Sequence, residues 1–157
     1  MAGIALRLEL EALYADYVYC LDADRLEEWP EFFTEDCHYR ITSAENYQAG
    51  LPLGIIRATS KNMLRDRVAA LRGANVYEPQ RYRHLLSSLR IAAEREEELK
   101  AEANVLVVRT VQDGDMTLFA AGRYVDRLRR SAGGWKFAEK IVVLDSRQID
   151  TLLAIPI

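Results

Sequence analysis

The side chains of this sequence with the strongest capacity for chemistry are two histidines and two cysteines. An iron–sulfur cluster held by two Cys and two His needs its ligands in pairs, whereas Cys37 and His38 are adjacent and His84 is far away. Cys20 has no second cysteine at the spacing of a metal site. A mononuclear iron site using both histidines and one carboxylate would lack any helical or hairpin pairing of its ligands. We therefore predict that this chain holds no metal.

Acid–base chemistry on a small ligand is a second interpretation of the residue types. An aspartate and a tyrosine could act together inside the concavity of a curved sheet. The candidate residues for such a site are Tyr14, Tyr17, Asp22, Asp36 and His38. The same residues also fit a structural role, because tyrosines on an apolar helix face pack in the core and aspartates at helix ends act as caps. The residue types alone leave both interpretations open.

Charge is unevenly distributed along the chain. The net charge is −3, from 21 Lys and Arg against 24 Asp and Glu, yet eight basic and two acidic side chains lie between Arg57 and Arg90. The negative total and the absence of a nucleic-acid-binding motif argue against a nucleic-acid partner. Arg81 and Arg83 alternate with Tyr82, so they need carboxylate partners if this strand is covered, either within the chain or in a neighbouring subunit.

Length and composition predict one folded domain over residues 1–157. Of the 157 residues, 50% are hydrophobic and 29% are charged, which is the mixture of a globular protein with a single core. No apolar run approaches the roughly 18 residues of a membrane span, and the first residues lack the basic start of a signal peptide. Two cysteines are too few for a disulfide framework, so we expect a reduced, cytoplasmic protein without membrane association.

Two segments carry the spacing of amphipathic helices. Apolar residues recur at intervals of three and four from Ile4 to Leu21, which predicts a first helix. Ser60 can cap a later helix whose apolar residues share one face. Gly73 is expected to end that helix by adopting a left-handed conformation.

The stretch between these two helices is expected to hold a further short helix and two extended pieces. Asp24, followed three positions later by Glu27, forms a capping-box pattern for a second helix, which Pro30 should limit. Alternation predicts a strand over Asp36–Thr42. A loop and a second short extended piece should follow this strand.

The second half of the chain predicts four long strands joined by short turns. Gly114 and the pair Gly133-Gly134 accept the backbone conformation of hairpin turns, so the strands should form an antiparallel meander. Strict alternation places Leu118 on the same face as Tyr124, and both faces of the last two strands are apolar. Helices followed by a curved sheet predict an α+β domain, with helices on one face and a neighbouring subunit on part of the other.

Three stretches of the sequence are more specific than hydrophobic spacing and turn residues alone. They are LDADRLEEWPEFFTEDCHYRIT, DRVAALRGANVYEPQRYRHLLSSLRI and GWKFAEKIVVLDSRQIDTLLAIPI. The most specific part is the run from Tyr77 to Ser87. In order and spacing, these stretches resemble the small (β) subunit of Rieske-type aromatic-ring-hydroxylating dioxygenases. The middle of the sequence, from His38 to Val68, is similar to the small subunits of terephthalate and salicylate oxygenases.

The resemblance implies an NTF2-like (cystatin-like) fold, in which a strongly curved antiparallel sheet forms a cone packed against three helices from the first half of the chain. It implies a non-catalytic subunit with no catalytic residue, cofactor or metal of its own. The implied partners are other β subunits and a large α subunit, assembled as an α3β3 hexamer. That α subunit would carry a Rieske [2Fe–2S] cluster and mononuclear Fe(II). The oxygenase would hydroxylate an aromatic compound, such as an aromatic carboxylate, with O2 and electrons from NAD(P)H.

Charge and strand position together indicate which side chains should lie at or near subunit contacts. These residues are Arg67, Arg81, Arg83 and Trp135. The alternative function is that of a free-standing isomerase or dehydratase of the same cone fold, because this fold alone does not determine function. Such an enzyme would need an open cavity with perturbed acids, for instance Asp22 or Asp36.

Overall fold

The periodic segments of the sequence fold, in the computed structural model, into helices packed against one six-stranded sheet. The structure describes residues 3–52, 54–74, 79–146 and 155–157. The α-helices of these residues are α1 (Ile4–Asp22), α2 (Ala44–Gln48) and α3 (Lys61–Gly73), and a 3₁₀ turn spans Trp29–Phe32. The strands are β1 (Phe33–Ser43), β2 (Ile56–Ala58), β3 (Gln80–Glu94), β4 (Glu98–Val111), β5 (Met116–Ser131) and β6 (Gly134–Leu144).

The strands are ordered β2-β1-β6-β5-β4-β3 in the sheet. Strands β3 to β6 form the predicted antiparallel meander, and β1 pairs in parallel with β6. Gly114 and Gly134 adopt φ values of 97° and 107° in the turns on either side of β5, a conformation that glycine adopts without steric cost. The predicted α+β class is therefore confirmed, with one parallel strand pair added to the meander.

The two long helices form where their apolar spacing predicts them. The side chains of Leu10, Tyr14 and Tyr17 are buried on one face of α1. The hydroxyl of Ser60 caps α3 by accepting a hydrogen bond from the backbone N–H of Met63 at 3.2 Å. Within the described residues, no helix is both long enough and apolar enough to cross a membrane.

The predicted short helix beginning at Asp24 is wrong. Asp24 has a left-handed φ of 59°, and its carboxylate binds the guanidinium of Arg72 on α3 at 2.9 Å. Glu27 binds the same guanidinium at 2.7 Å. The two acids therefore hold a distant helix instead of capping a local one. Pro30 was predicted to end this local helix. It lies instead in the first turn of the 3₁₀ helix, a position that suits its fixed φ.

Two other local predictions are also wrong. Gly73 is the last residue of α3 but is not left-handed, and the chain leaves the helix through Ala74, which has φ −89°. The segment after β1, predicted to be a loop, contains the short helix α2. The hydroxyl of Ser43 caps this helix by accepting from the backbone N–H of Asn46 at 3.2 Å.

A pairing irregularity between β4 and β5 changes which side chains share a face. Val108 pairs with Leu118, whereas the preceding residue of β4 pairs two positions further along β5, so Phe119 is an extra residue. Leu118 is consequently 76% exposed, whereas Tyr124 is buried. Strict alternation therefore placed Leu118 on the wrong face of the sheet.

The outer face of β6 is covered by the chain itself. Ile141 and Val143 are buried on this face, and α2 packs against β1 and β6. The ring of Tyr47 on α2 lies 5.5 Å from the guanidinium of Arg123 on β5. Part of the cover that the two-sided apolar pattern predicted is thus intramolecular. Further along the outer face, Met116 and Leu118 on β5 are 72% and 76% exposed, and Leu85 on β3 is 50% exposed.

Gly122 on β5 lies directly against the backbone of β6. A Cβ atom at this position would lie 2.0 Å from the carbonyl oxygen of Val143. We expect Gly122→Ala to lower the free energy of unfolding by about 3 kcal/mol, because the backbone must move to admit the methyl group. Urea denaturation measures this loss, with Gly133→Ala as the matched control, since a Cβ there meets nothing within 4 Å. Equal midpoints for the two variants would contradict the prediction.

Candidate functional site

A charged pair lies at the centre of the inner face of the sheet. Asp126 on β5 and Lys140 on β6 are paired in the strand register and are 3% and 0% exposed. Lys140 Nζ donates to Asp126 Oδ2 at 2.8 Å, and the Tyr14 hydroxyl of α1 donates to the same oxygen. The cluster therefore connects the longest helix to two central strands.

Aromatic rings surround the ammonium group of Lys140. Its Nζ lies 3.6 Å from the ring centroid of Tyr124, 4.2 Å from that of Phe137 and 4.7 Å from that of Tyr17. The faces of aromatic rings attract a desolvated cation, so these rings replace part of the hydration that the ammonium loses. Oδ1 of Asp126 is buried and has no hydrogen-bond partner among the described residues.

Burial dominates the electrostatics of this cluster. It lowers the pKa of Lys140 to about 8, although the neighbouring Asp126 carboxylate acts in the opposite direction. It also raises the pKa of Asp126, against the opposing effects of Lys140 and of the Tyr14 hydrogen bond. The pKa of Tyr14 is raised by burial and by the charge of Asp126. Because these groups are closed off from solvent, their main effect is on folding.

The buried lysine gives folding stability an unusual pH dependence. Lys140 titrates near pH 8 when folded and near 10.5 when unfolded. The unfolded chain therefore binds more protons between these values, and the free energy of unfolding rises with pH. Burial raises the pKa of Cys20 and Cys37 from 9.0 to about 11 and also raises that of Tyr14 and Tyr124, which has the opposite effect once the unfolded thiols begin to ionise near pH 9. We expect the urea midpoint to rise from about pH 7 to about pH 8.5 and to fall above about pH 9.

Two variants separate Lys140 from other titrating groups. The combination of Lys140→Met with Asp126→Leu removes both buried charges and should abolish the rise in the urea midpoint. Lys100→Met changes an exposed lysine on β4 and should leave the rise unchanged. A midpoint that falls between about pH 7 and about pH 8.5 in the unsubstituted chain would show that Lys140 does not control it.

Residues 155–157 are held in the interior by two tyrosines. The Tyr39 hydroxyl donates to the carbonyl oxygen of Ile157 at 2.9 Å and accepts from its N–H at 3.3 Å. The Tyr17 hydroxyl donates to the same carbonyl at 3.3 Å and accepts from Trp29 Nε1 at 3.1 Å. Ile155 and Ile157 are buried. These three residues are therefore docked in the interior, and residues 151–154 lie outside the described part of the chain.

Removing the Tyr39 hydroxyl tests how strongly this segment is held. We expect Tyr39→Phe to cost about 1–3 kcal/mol, because the buried N–H of Ile157 loses its partner. Tyr19→Phe, on the exposed face of α1, should have no measurable effect and is the control. Amide exchange at Ile157 should become faster in Tyr39→Phe alone. Unchanged exchange would mean that the hydroxyl does not hold the segment.

Asp22, one of the acid–base candidates, pairs with a histidine, but with His84 rather than His38. Asp22 Oδ1 lies 2.6 Å from His84 Nδ1. Asp22 Oδ2 accepts a hydrogen bond from the backbone N–H of His84 at 3.0 Å. Because His84 belongs to the edge strand β3, the pair fixes the end of α1 to the edge of the sheet.

The remaining acid–base candidates are divided between the interior and the surface. Tyr14 and Tyr17 are buried in the hydrogen bonds described above. His38 and Asp36 are exposed, and the Asp36 carboxylate lies 3.2 Å from the guanidinium of Arg129. The neighbouring Thr34 hydroxyl and the guanidinium of Arg129 lower the pKa of Asp36. The five candidates therefore do not form a single catalytic site.

The possible metal ligands of this chain are engaged or unsuited to ligation. Burial raises the pKa of the Cys20 and Cys37 thiols to about 11, which disfavours the thiolate that binds metals. The His84 ring is held by Asp22, and His38 lies on the surface. Across the described ranges, no three His, Cys, Asp or Glu side chains converge as a ligand set. These residues fit neither a Rieske cluster nor a mononuclear iron site.

Comparison with known proteins places the chain in a family. The family model described as "Ring hydroxylating beta subunit" matches residues 17–151. The anthranilate 1,2-dioxygenase small subunit of Burkholderia cepacia is 46% identical over 149 residues, which cover 95% of this chain and 92% of that protein. The terephthalate 1,2-dioxygenase terminal oxygenase subunit beta 1 of Comamonas sp is 41% identical over 150 residues, with 96% and 97% covered. The chain belongs to the ring-hydroxylating beta subunit family.

A solved structure confirms the fold of this beta subunit. The crystal structure from Novosphingobium aromaticivorans described as the beta subunit of an aromatic-ring-hydroxylating dioxygenase has a TM-score of 0.89 and 38% identity. The alignment covers 99% of this chain and 100% of that chain. The resemblance carried by the three sequence stretches, and the NTF2-like fold that it implies, are both confirmed.

The basic segment of the beta subunit is paired in part within the chain. Arg72 binds the two acids described above, and Lys61 Nζ lies 3.0 Å from Glu31 Oε2. Arg81 and Arg83 are exposed, and neither forms an ion pair among the residues that the structure describes. These two predicted contact residues thus present guanidinium groups to the surroundings.

The other two predicted contact residues are more covered. Arg67 on α3 is half-buried, and its Nε is buried without a hydrogen-bond partner among the described residues. Trp135 is 5% exposed, and the guanidinium of Arg130 lies 4.4 Å from its ring centroid. A partner would therefore meet Trp135 mainly through Arg130.

Sequence reasoning missed Asp126 and Lys140, although a signal was present. Asp126 stands two positions from both Tyr124 and Leu128, so it interrupts an apolar stripe on one face of β5. A charge on such a stripe needs a buried partner on a neighbouring strand. Lys140 interrupts the corresponding stripe of β6 and meets that requirement.

Proposed function

We propose that this chain is the non-catalytic small subunit of an aromatic-ring-hydroxylating dioxygenase and that its role is to build the oxygenase. The observation that carries this proposal is the filling of the inner face of the sheet by the chain itself. The Lys140–Asp126 pair, its aromatic surroundings and Ile157 occupy the interior. A free-standing enzyme of this fold would need this space for its substrate.

The proposed partner is a large α subunit, joined with other copies of this chain in an α3β3 hexamer. A Rieske [2Fe–2S] cluster and mononuclear Fe(II) in that subunit would accept electrons from NAD(P)H and activate O2. The poor fit of this chain's cysteines and histidines to either group supports the assignment of the metals to the partner. The proposed location is the cytoplasm, where free thiols such as Cys20 and Cys37 stay reduced.

The proposed substrate class is the aromatic carboxylates. Anthranilate and terephthalate, which appear in the names of the two relatives, both carry a carboxylate on the ring. The reacting atoms would lie in the large subunit, so this chain would influence the reaction through assembly rather than through contact with the ring.

Subunit contacts are proposed at the four residues selected from the sequence. Arg81 and Arg83 offer exposed guanidinium groups, which bind carboxylates of a partner with two parallel hydrogen bonds. The buried Nε of Arg67 needs an acceptor that the described residues do not supply. Trp135 would contribute through the Arg130 guanidinium stacked on it.

Purification of the tagged chain from its native cells, grown on an aromatic acid, tests the proposed function. The tag belongs at the N-terminal end, because residues 155–157 are buried. We expect a larger subunit to co-purify and to give the red-brown visible spectrum of an iron–sulfur cluster. Cells expressing the untagged chain are the control. A colourless preparation of this chain alone, active on a small ligand, would instead support the free-standing isomerase or dehydratase.

Substitutions of the acid–base candidates distinguish the two functions further. Asp36→Asn and His38→Gln change exposed residues and should leave oxygenase turnover at the unsubstituted level. Asp22→Asn should affect stability, because it weakens the contact with His84, but the assembled enzyme should remain active. Loss of turnover in all three variants with folding intact would identify this chain as a catalyst.

A further inference from the structure

Two arginines stand directly opposite each other where β1 pairs with β2. In the strand register, Arg40 aligns with Arg57, and side chains at such positions have Cβ atoms about 5 Å apart on the same face of the sheet. Like charges in this arrangement destabilise a sheet. Among the residues that the structure describes, neither arginine forms an ion pair, and Arg57 is exposed. The sheet therefore keeps an unfavourable charge pair at this edge.

The Arg40 side chain is held in place by the chain that follows α2. Its Nη1 donates a hydrogen bond to the carbonyl oxygen of Leu51 at 3.2 Å. Gly54 packs against its aliphatic part, because a Cβ atom on Gly54 would lie 2.9 Å from Arg40 Cγ. A guanidinium fixed at both its stem and its head loses less conformational entropy when it binds a ligand. Arg40 is thus positioned for binding before any ligand arrives.

A small pocket opens beside the two arginines. Its volume is about 160 Å³, which is about that of five water molecules in the liquid. Two positions along β1, His38 faces the same side as Arg40, and Glu139 on β6 aligns with His38 in the register. We call this site the anion pocket, and the lining residues that matter here are His38, Arg40, Pro52, Arg57, Glu139 and Ile141. Polar groups from three strands therefore converge on a space large enough for a small molecule.

The charges of the anion pocket indicate which ligand fits it. Two guanidinium groups face one carboxylate, that of Glu139, so a ligand with a single negative charge would balance the pocket. A second negative charge would be repelled by Glu139. A carboxylate carries one charge, is planar and accepts two parallel hydrogen bonds from a guanidinium. Pro52 and Ile141 offer apolar surface to the carbon atoms that such a ligand carries.

We propose that the anion pocket binds the carboxylate group of a small organic anion. The carboxylate oxygens would accept hydrogen bonds from the guanidinium groups of Arg40 and Arg57, which offsets the repulsion between them. The carbon skeleton of the ligand would lie against Pro52 and Ile141. All of these residues belong to one chain, so the site does not depend on the proposed role in assembly.

Titration of the full chain with benzoate, followed by amide NMR, tests the proposal. We expect saturable shifts of the backbone signals of Arg40 and Arg57, and weaker binding at about 500 mM than at about 50 mM NaCl, because salt screens the charges. Benzamide has nearly the same shape without the charge and should cause no such shifts. Equal binding of the two compounds, or no saturable shift with benzoate, would overturn the proposal.

Substitution of Arg57 separates binding from folding. Arg57→Gln should weaken benzoate binding by about tenfold or more, because it removes charge-assisted hydrogen bonds. It should not lower the urea midpoint of the ligand-free chain, since it also removes a like-charge neighbour of Arg40. Arg95→Gln, at an exposed arginine in the turn between β3 and β4, is the matched control and should leave the affinity for benzoate unchanged. Equal affinities for the two variants would contradict binding at Arg57.

Phenylglyoxal, which modifies accessible guanidinium groups, extends the test to the assembled oxygenase. We expect Arg57 to be modified both in the chain alone and in the complex purified from native cells, and we expect benzoate to slow this modification in each case. Peptide mass spectrometry measures the extent of modification at Arg57. If Arg57 reacts in the chain alone but not in the complex, another subunit covers the pocket, and the site is a subunit contact rather than a ligand site. That result would overturn the proposal and leave the proposed function standing.

Discussion

A lysine ammonium buried in the interior constrains the whole arrangement of this sheet. Lys140 is tolerated only because Asp126 faces it across the β5–β6 register and aromatic rings surround its remaining hydrogens. Loss of either charge would leave the other uncompensated, at a cost of about 3–5 kcal/mol. A slip of one residue would carry Lys140 to the opposite face and separate the pair. The pair therefore fixes one register, and Tyr14 extends that constraint to α1.

This constraint also determines how the polar groups of the interior are used. An acid or base needs access to substrate and solvent, whereas Asp126 and Lys140 are fully enclosed. Two hydroxyls that face the interior also have a structural role, since those of Tyr39 and Tyr17 donate hydrogen bonds to the backbone of Ile157. These hydroxyls and the charged pair therefore stabilise the fold.

The sequence was sufficient where local rules determine the structure. Apolar spacing predicted α1, the hydroxyl of Ser60 predicted the start of α3, and Gly114 and Gly134 predicted turns, because each effect acts within a few residues. The predictions failed where a contact with a residue far away in the sequence determines the local structure. Asp24 resembled a helix cap, but its carboxylate is bound by Arg72 from another helix, and no local pattern contains that contact.

The site was less predictable than the fold, for the same reason. One extra residue, Phe119, reverses the face of Leu118, and nothing in the alternation of β5 marks it. The charged pair could have been predicted in part from the sequence, because Asp126 interrupts an apolar stripe. Identifying Lys140 as its partner required the register between two strands. Of the four residues predicted to lie at subunit contacts, only Arg81 and Arg83 have an exposure that follows from alternation with the buried Tyr82.

The division of the basic segment follows from the position of β3 in the sheet. Arg72 and Lys61 lie on α3, which packs beside the acidic stretch between α1 and β1, so carboxylates are within reach. Arg83 lies on an edge strand whose inner side is covered by α1 and whose outer side faces no other element of the described chain. Arginines held at such an edge keep their hydration until another molecule supplies acceptors. The topology that closes the interior therefore also leaves guanidinium groups on the surface without an ion-pair partner among the described residues.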